Sequence, residues 1–256
     1  MPANLYAIPG IPDIKPGDDL VDLLLSGLTR DNKKLEAGDI LVIAHKIVSK
    51  AENRFVSYSD VQPSREEIKL SKKVRKDPRK VEIILQESKR VIRAVERQDL
   101  EEGILITEHK LGYISANACI DESNIDEKNT ALLLPYDPDK SARKIRDQLE
   151  NRTGLRSIGI IISDTFGRAW RIGQVNVAIG LAGVPATHHL YGVYDAFGNR
   201  LRVTQPAFAD EIAAASGLLM KKGGKCPIIV FKGLDWDPID NSAADLIRPE
   251  EEDLFR

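Results

Sequence analysis

Cysteine is nearly absent from this chain: Cys119 and Cys226 are the only two in 256 residues, far apart in sequence. That count excludes a disulfide framework and a thiolate zinc site, and leaves each cysteine as a small buried apolar residue. An excess of one charge is also missing. The formal net charge of −2 gives no global electrostatic case for nucleic acid or an anionic membrane, which leaves a small molecule or another protein as partner. No apolar run approaches the ~20 residues of a bilayer span, and the N-terminus MPANLYAIPGIPDIKPGDD has no basic flank ahead of an apolar core. The expectation is a cytoplasmic protein without a membrane segment. No flexible Gly/Ser or Pro-rich linker and no internal repeat interrupts the chain, so residues 1–256 are read as a single domain, with any subdomains made by folding.

Several catalytic signatures are missing too. There is no G-x-x-x-x-G-K-[ST] loop to cradle phosphates and no G-x-G-x-x-G after a strand, which argues against P-loop enzymes and dinucleotide-dependent dehydrogenases. The absence of G-x-S-x-G, and of a motif around either cysteine, removes the usual nucleophiles. The four histidines lack metal-site spacing, and His109 and His188 read as hydrogen-bonding surface or core residues.

What is present is a mixed α/β pattern. Apolar runs at residues 5–8, 40–44, 91–95, 104–107, 157–163 and 227–232 predict strands. Helix starts are marked by Asp18-Asp19, by the capping-box spacing Ser64-Arg65-Glu66-Glu67, and by Asp77-Pro78 and Asp137-Pro138. Residues 206–222 carry apolar side chains at helical spacing, ended by Gly223-Gly224, and residues 195–199 predict a hairpin turn. The basic run from Lys69 to Lys80 reads as a solvated helical face, with docking of an anionic substrate as the alternative.

The chemistry sits where two predicted strands hand over to polar residues. Residues 158–171, IGIIISDTFGRAWR, run a β-branched strand into Ser163, Asp164 and Thr165. In open α/β sheets ligands bind beyond the carboxyl ends of strands, and a carboxylate beside a hydroxyl offers the hard oxygens that Mg²⁺ or Mn²⁺ takes near phosphate. The competing reading makes Asp164 a cap on the next turn. Ile40 to Ala44 likewise hand over to His45, Lys46, Ser49 and Lys50, expected in a polar loop. A third segment, Ser115 to Asn124, alternates small and polar residues; it admits a phosphate close to its backbone, or is an Asx-rich loop that satisfies itself. Two acidic oxygen clusters, Asp121 with Asn124 and Asp164 with Thr165, thus accompany a basic one, His45, Lys46 and Lys50. Metal-holding carboxylates and phosphate-meeting lysines are the two halves of a phosphoryl-transfer site.

Five blocks in order carry a family resemblance: GIPDIKPGDDL (10–20), GDILVIAHKIVSKAENR (38–54), ANACIDESN (116–124), SDTFGRAWRIGQVNVAIGLAGV (163–184) and ADEIAAASGLLM (209–220). Through them the chain resembles the GTP-dependent coenzyme F420-0:L-glutamate ligases in their stand-alone form. The resemblance implies the γ-glutamyl ligase fold, assembled as an intertwined homodimer. It implies L-glutamate added through a γ-linkage to the lactyl carboxylate of the deazaflavin coenzyme precursor, by way of an acyl phosphate, with GTP, Mg²⁺ or Mn²⁺, and K⁺. Carried over by position, Pro9, Gly10, Ile11 and Pro12 match the nucleotide loop, and His45, Lys46 and Lys50 match contacts to GTP. Asp121, Asp164 and Thr165 match metal ligands, the two aspartates being the catalytic pair, and Asn124 matches a nucleotide contact. The chain departs from several archaeal members at Met220-Lys221-Lys222-Gly223-Gly224, where they carry an acidic residue; a further metal ligand is absent or supplied elsewhere. The same chemistry on another anionic cofactor carboxylate, and a non-catalytic nucleotide-binding homologue, are the alternatives.

Overall fold

β-Branched residues dominate the centre of the protein, and their pairing follows from burial on both faces. In the computed structural model, which describes residues 2–123, 125, 128–220, 223 and 225–253, the chain runs in order through these elements. They are β1 (Asn4–Ala7), α1 (Leu20–Arg30), β2 (Ile40–Ala44), α2 (His45–Ala51), β3 (Phe55–Ser57), α3 (Arg65–Val74), α4 (Pro78–Gln86) and β4 (Ser88–Val95). Next come β5 (Ile104–His109), β6 (Ile114–Ala116), β7 (Thr130–Leu132), α5 (Pro138–Thr153), β8 (Gly159–Arg168), β9 (Arg171–Ala182), α6 (Phe208–Ser216) and β10 (Ile228–Lys232). The main sheet has strand order β1-β10-β2-β8-β9, with β2 and β8 parallel and the other pairs antiparallel. The pair β3-β7 and the three-stranded β4-β5-β6 sheet stand apart from it.

Alternation sorts the core. Leu41, Ile43, Ile160, Ile162, Ile228 and Val230 face α1 and α5, while Ile40, Val42, Ile161, Ile229 and Phe231 face α6. A strand covered on both faces reads as one continuous apolar run, which makes these segments legible in sequence. The helix starts form as expected. Asp19 accepts from the amides of Val21 and Asp22, Ser64 and Glu67 close a capping box, and Asp77 and Asp137 cap helices that open on proline. Asp195 orders the expected turn by accepting from the amides of Phe197 and Asn199, beside a Tyr194–Arg200 bridge.

Four expectations need correction. The polar residues after Ala44 form helix α2, not a loop: a β-to-helix change at Ala44 (φ −63°, ψ 130°) starts it without a side-chain cap. The strand through Asp164 and Thr165 does not end there. It continues to Arg168 because Thr165, Phe166, Val175 and Val177 are good strand formers and pair across the β8–β9 hairpin. The alanine-rich helix stops at Ser216, ahead of Gly217, instead of reaching residue 222. The basic run is not all solvated either, since Lys76 and Lys80 are buried and ion-paired.

Candidate functional site

Register brings the first two site residues together. β2 and β8 run parallel with Ala44 opposite Ser163, so the next residues, His45 and Asp164, emerge side by side where that pairing ends, β2 giving way to α2 while β8 runs on into its hairpin with β9. His45 Nε2 lies 3.2 Å from Asp164 Oδ1, with both side chains largely buried. The contact is out of line for a hydrogen bond, so Nε2 is a buried nitrogen without a directed partner among the described residues, and Nδ1 sits 3.5 Å from Ser49 Oγ. Asp164 Oδ1 accepts from the Thr165 amide at 2.6 Å, and the Thr165 hydroxyl donates to Asn176 Oδ1 at 2.9 Å across the hairpin. Asn176 in turn donates to Ser216 Oγ at 3.3 Å, tying the hairpin to α6. Behind Asp164, burial and then the Asp164 charge push the Cys119 thiol well above its usual range, which makes it an inert core thiol.

His45, Asp164, Thr165 and Asn176 line a cavity of about 260 Å³. Ile11 and Pro12 enter it from the turn after β1; His45, Lys46 and Lys50 come from α2; Asp164 and Thr165 come from β8. Apolar and cationic walls therefore face a carboxylate and a hydroxyl. The Lys50 ammonium has no hydrogen bond or ion pair among the described residues, while the Lys50 carbonyl accepts from the Asn53 amide, so the ammonium is available to an anion. Lys46 is held: Nζ lies 2.6 Å from Asp121 Oδ2 and donates to Ser123 Oγ at 2.7 Å. Burial raises the Asp121 carboxyl, but hydrogen bonds from Lys46 and Ser123 outweigh it and leave the group below its usual value.

The remaining expected residues divide. Asp121 reaches the site through Lys46 and is not part of the cavity wall. Pro9 and Gly10 stay outside it; Gly10 holds φ +70° and its carbonyl accepts from Arg30 at 3.2 Å, a turn-shaping role. Asn124, Lys221, Lys222 and Gly224 lie outside the described residues. Around Ser115 to Ser123 the self-satisfying loop is what forms: Asp121 Oδ1 accepts from the Ser123 amide at 2.6 Å. Asn117, Ala118 and Cys119 are all left-handed, at φ of 54°, 51° and 59°, which is strained for side-chain-bearing residues. Sequence reasoning missed Asn176, Met220, Lys225 and Cys226 as cavity residues. Of these only Asn176 carried a signal, as a lone polar residue in the small-residue run 176–183.

The donor set suits a divalent cation in part. Asp164 and Thr165 supply hard oxygens to the cavity, yet no cluster of three His, Cys, Asp or Glu side chains able to hold a metal occurs among the described residues. A cation there would complete its shell with phosphate oxygens and water, the usual habit of Mg²⁺.

Fold and cavity together define a class: a mixed α/β protein with a ligand-sized cleft where the parallel pairing of two adjacent strands ends, walled by lysines and a carboxylate-hydroxyl pair. Within that class, residues 10–233 match the family model F420-0:Gamma-glutamyl ligase, and the chain belongs to that family. It is 40% identical over 259 residues to the coenzyme F420:L-glutamate ligase of Methanothermobacter thermautotrophicus, covering 100% of both chains. It is 38% identical over 257 residues to the protein of the same name from Archaeoglobus fulgidus, covering 100% of this chain and 97% of that one. The Methanocaldococcus jannaschii protein of that name is 40% identical over 223 residues, 87% of this chain and 86% of its own. No described helix is long and apolar enough to cross a membrane.

Proposed function

We propose that this chain is a GTP- and divalent-metal-dependent ligase that joins L-glutamate to the carboxylate of the coenzyme F420 precursor. The observation that carries the reading is the meeting of Pro12, Lys46, Lys50, Asp164 and Thr165 around one cavity, in a chain whose relatives carry the name coenzyme F420:L-glutamate ligase. Joining a carboxylate to an amine at neutral pH needs activation, because a carboxylate is a poor acylating agent. An oxygen of the precursor carboxylate attacks the γ-phosphorus of GTP, the bridging oxygen leaves with GDP, and an acyl phosphate results. The glutamate amine then attacks the acyl carbon, its C–O bond to phosphate breaks, and the amine loses a proton as the amide forms.

In this reading Lys50 and Lys46 meet phosphate oxygens, and the apolar wall of Ile11 and Pro12 receives the flat part of the nucleotide. Asp164 and Thr165 would hold Mg²⁺ or Mn²⁺, while Asp121, outside the cavity wall, holds Lys46. When bound, such a cation offsets the negative charge that crowds around the transferring phosphoryl group. His45 lines the same cavity beside Asp164 and, in this reading, meets the nucleotide.

The test is release of phosphate and GDP by the purified protein, measured with GTP or ATP and with each substrate omitted in turn. Release that requires GTP, glutamate and precursor together is expected. Release that ignores glutamate, or a preference for ATP, would overturn this assignment.

The proposal includes assembly as a homodimer through the β8–β9 hairpin, whose tip exposes Trp170 and Ile172, the latter at 102% of its reference area. Sedimentation equilibrium should give the mass of two chains, and Ile172→Asp should shift it toward one.

A further inference from the structure

Five side chains outside the cavity, Tyr58, Lys76, Lys80, Glu102 and Glu122, form a polar network that ends beside Asp121. Lys80, 6% exposed, donates from Nζ to Glu102 at 2.8 and 3.0 Å and to Glu122 Oε2 at 2.5 Å. Lys76 Nζ donates to Glu102 Oε2 at 2.6 Å, and the buried Tyr58 hydroxyl donates to Glu122 Oε1. Both oxygens of Glu122 are therefore held. The two ammoniums balance the two carboxylates, so the network is neutral as a whole.

Its position is informative. Asp121 exchanges both backbone hydrogen bonds with Leu132, at 3.1 and 2.8 Å, so the chain is extended there and successive side chains diverge. Glu122 turns into the network while Asp121 turns to Lys46 in the cavity wall. The two ammoniums are buried, but the Glu102 and Glu122 side chains are 36% and 43% exposed, so their ion pairs are screened by water and bulk stability is a weak reason for this arrangement. What it supplies is a single setting for the segment 121–123.

We propose that Tyr58 and Lys80 are positioning residues that act through Glu122, fixing Asp121 and with it the Lys46 ammonium in the cavity wall. The inference rests on the reading of the cavity as a phosphoryl-transfer site, and its role is orientation, not contact with substrate. It gives a purpose to the part of the basic run, Lys76 and Lys80, that packing buries.

Two near-isosteric variants test it in the full-length protein, Tyr58→Phe and Glu122→Gln, since Lys80→Met strips a buried ammonium and endangers folding. Amide hydrogen exchange needs no turnover. Protection at Asp121 and Ser123 should fall by about tenfold or more in both variants while β2 and β8 keep theirs. In the ligase assay kcat should fall about tenfold with KM for glutamate within about twofold, and neither substitution should slow a Lys46→Met background by more than about twofold. Unchanged exchange at 121 and 123, or losses that multiply fully with Lys46→Met, would overturn the proposal. If the unaltered protein shows no glutamate-dependent turnover, the cavity reading fails by itself, and the exchange data still decide whether the network anchors the segment.

Discussion

Asp164 has three neighbours with different demands: a buried imidazole at 3.2 Å, its own next amide at 2.6 Å, and the cavity. A carboxylate so enclosed is an expensive residue to bury unless it serves a charge, and the cavity is the place from which that charge would come. Asp164→Asn keeps the shape and removes the charge. It is expected to lower GTP-dependent phosphate release by at least about a hundredfold, the scale seen when a key electrostatic group is removed, with a melting temperature close to that of the unaltered protein. Release within a few-fold of the original would remove Asp164 from the metal and phosphate chemistry. Lys50→Met belongs to the same scale. Its ammonium, without a partner among the described residues, contributes binding more than bond-making, so KM for GTP should rise about tenfold with a smaller change in kcat, measured by initial rates across nucleotide concentrations.

Individual side chains are legible in the sequence to the extent that chain direction alone places them. His45, Lys46, Asp164 and Thr165 follow apolar runs closely, with Lys50 one helical turn beyond Lys46, and the end of the parallel pairing of β2 and β8 delivers them to one edge. Asn176 is not legible as a partner of Thr165, because that depends on the register of a hairpin whose turn lies between Arg168 and Arg171, away from both; cross-strand register is a property of pairing, not of local pattern. Met220, Lys225 and Cys226 reach the cavity through the return of the chain from α6 into β10, which no spacing rule foretells.

At the scale of elements, caps are the firmest signals, since a cap satisfies amides within its own turn and needs no distant partner. The β8–β9 hairpin is hard to read for the opposite reason. Polar residues on a strand look like its end when the partner strand is unseen. The small residues of β9 have their own cause. A Cβ on Gly180 would come within 2.5 Å of the Pro138 carbonyl oxygen, so α5 packs directly on the backbone of β9. Gly180→Ala should therefore destabilise by about 1–3 kcal/mol, the usual range for overpacking. Thermal unfolding should show a drop of several degrees, and no drop would mean that α5 can shift at little cost.

The satellite sheet carries a pH-sensitive element. The His109 imidazole beside Glu87 holds its carboxyl below the usual 4.5, burial opposes this, and the Arg54 guanidinium at 3.3 Å adds to it. Because the folded value is the lower one, this stabilisation is present above pH 4.5 and is lost as pH falls through the folded value. Glu87→Gln should flatten the decline of melting temperature below pH 4.5, and an unaltered decline would assign the acid sensitivity elsewhere.

For the whole molecule, the lack of a P-loop and of any dinucleotide fingerprint does not exclude nucleotide chemistry. It redirects attention to strand ends, and there the fold brings together residues that lie as far apart in sequence as Pro12 and Pro227. Fold class is readable from the alternation of buried runs and capped helices, and so are β4 and β5, expected at 91–95 and 104–107; the β3-β7 pair is not, because each of its strands is only three residues long. Family membership and the cavity point to one reaction, and one measurement addresses it directly. The purified protein is incubated with the deazaflavin precursor, L-glutamate, GTP and Mg²⁺ or Mn²⁺, and the acceptor is followed by mass spectrometry. The expected result is a product heavier by whole glutamyl residues, with one GDP formed for each. A precursor left unchanged by protein that is folded and binds GTP would contradict the assignment of substrate and reaction.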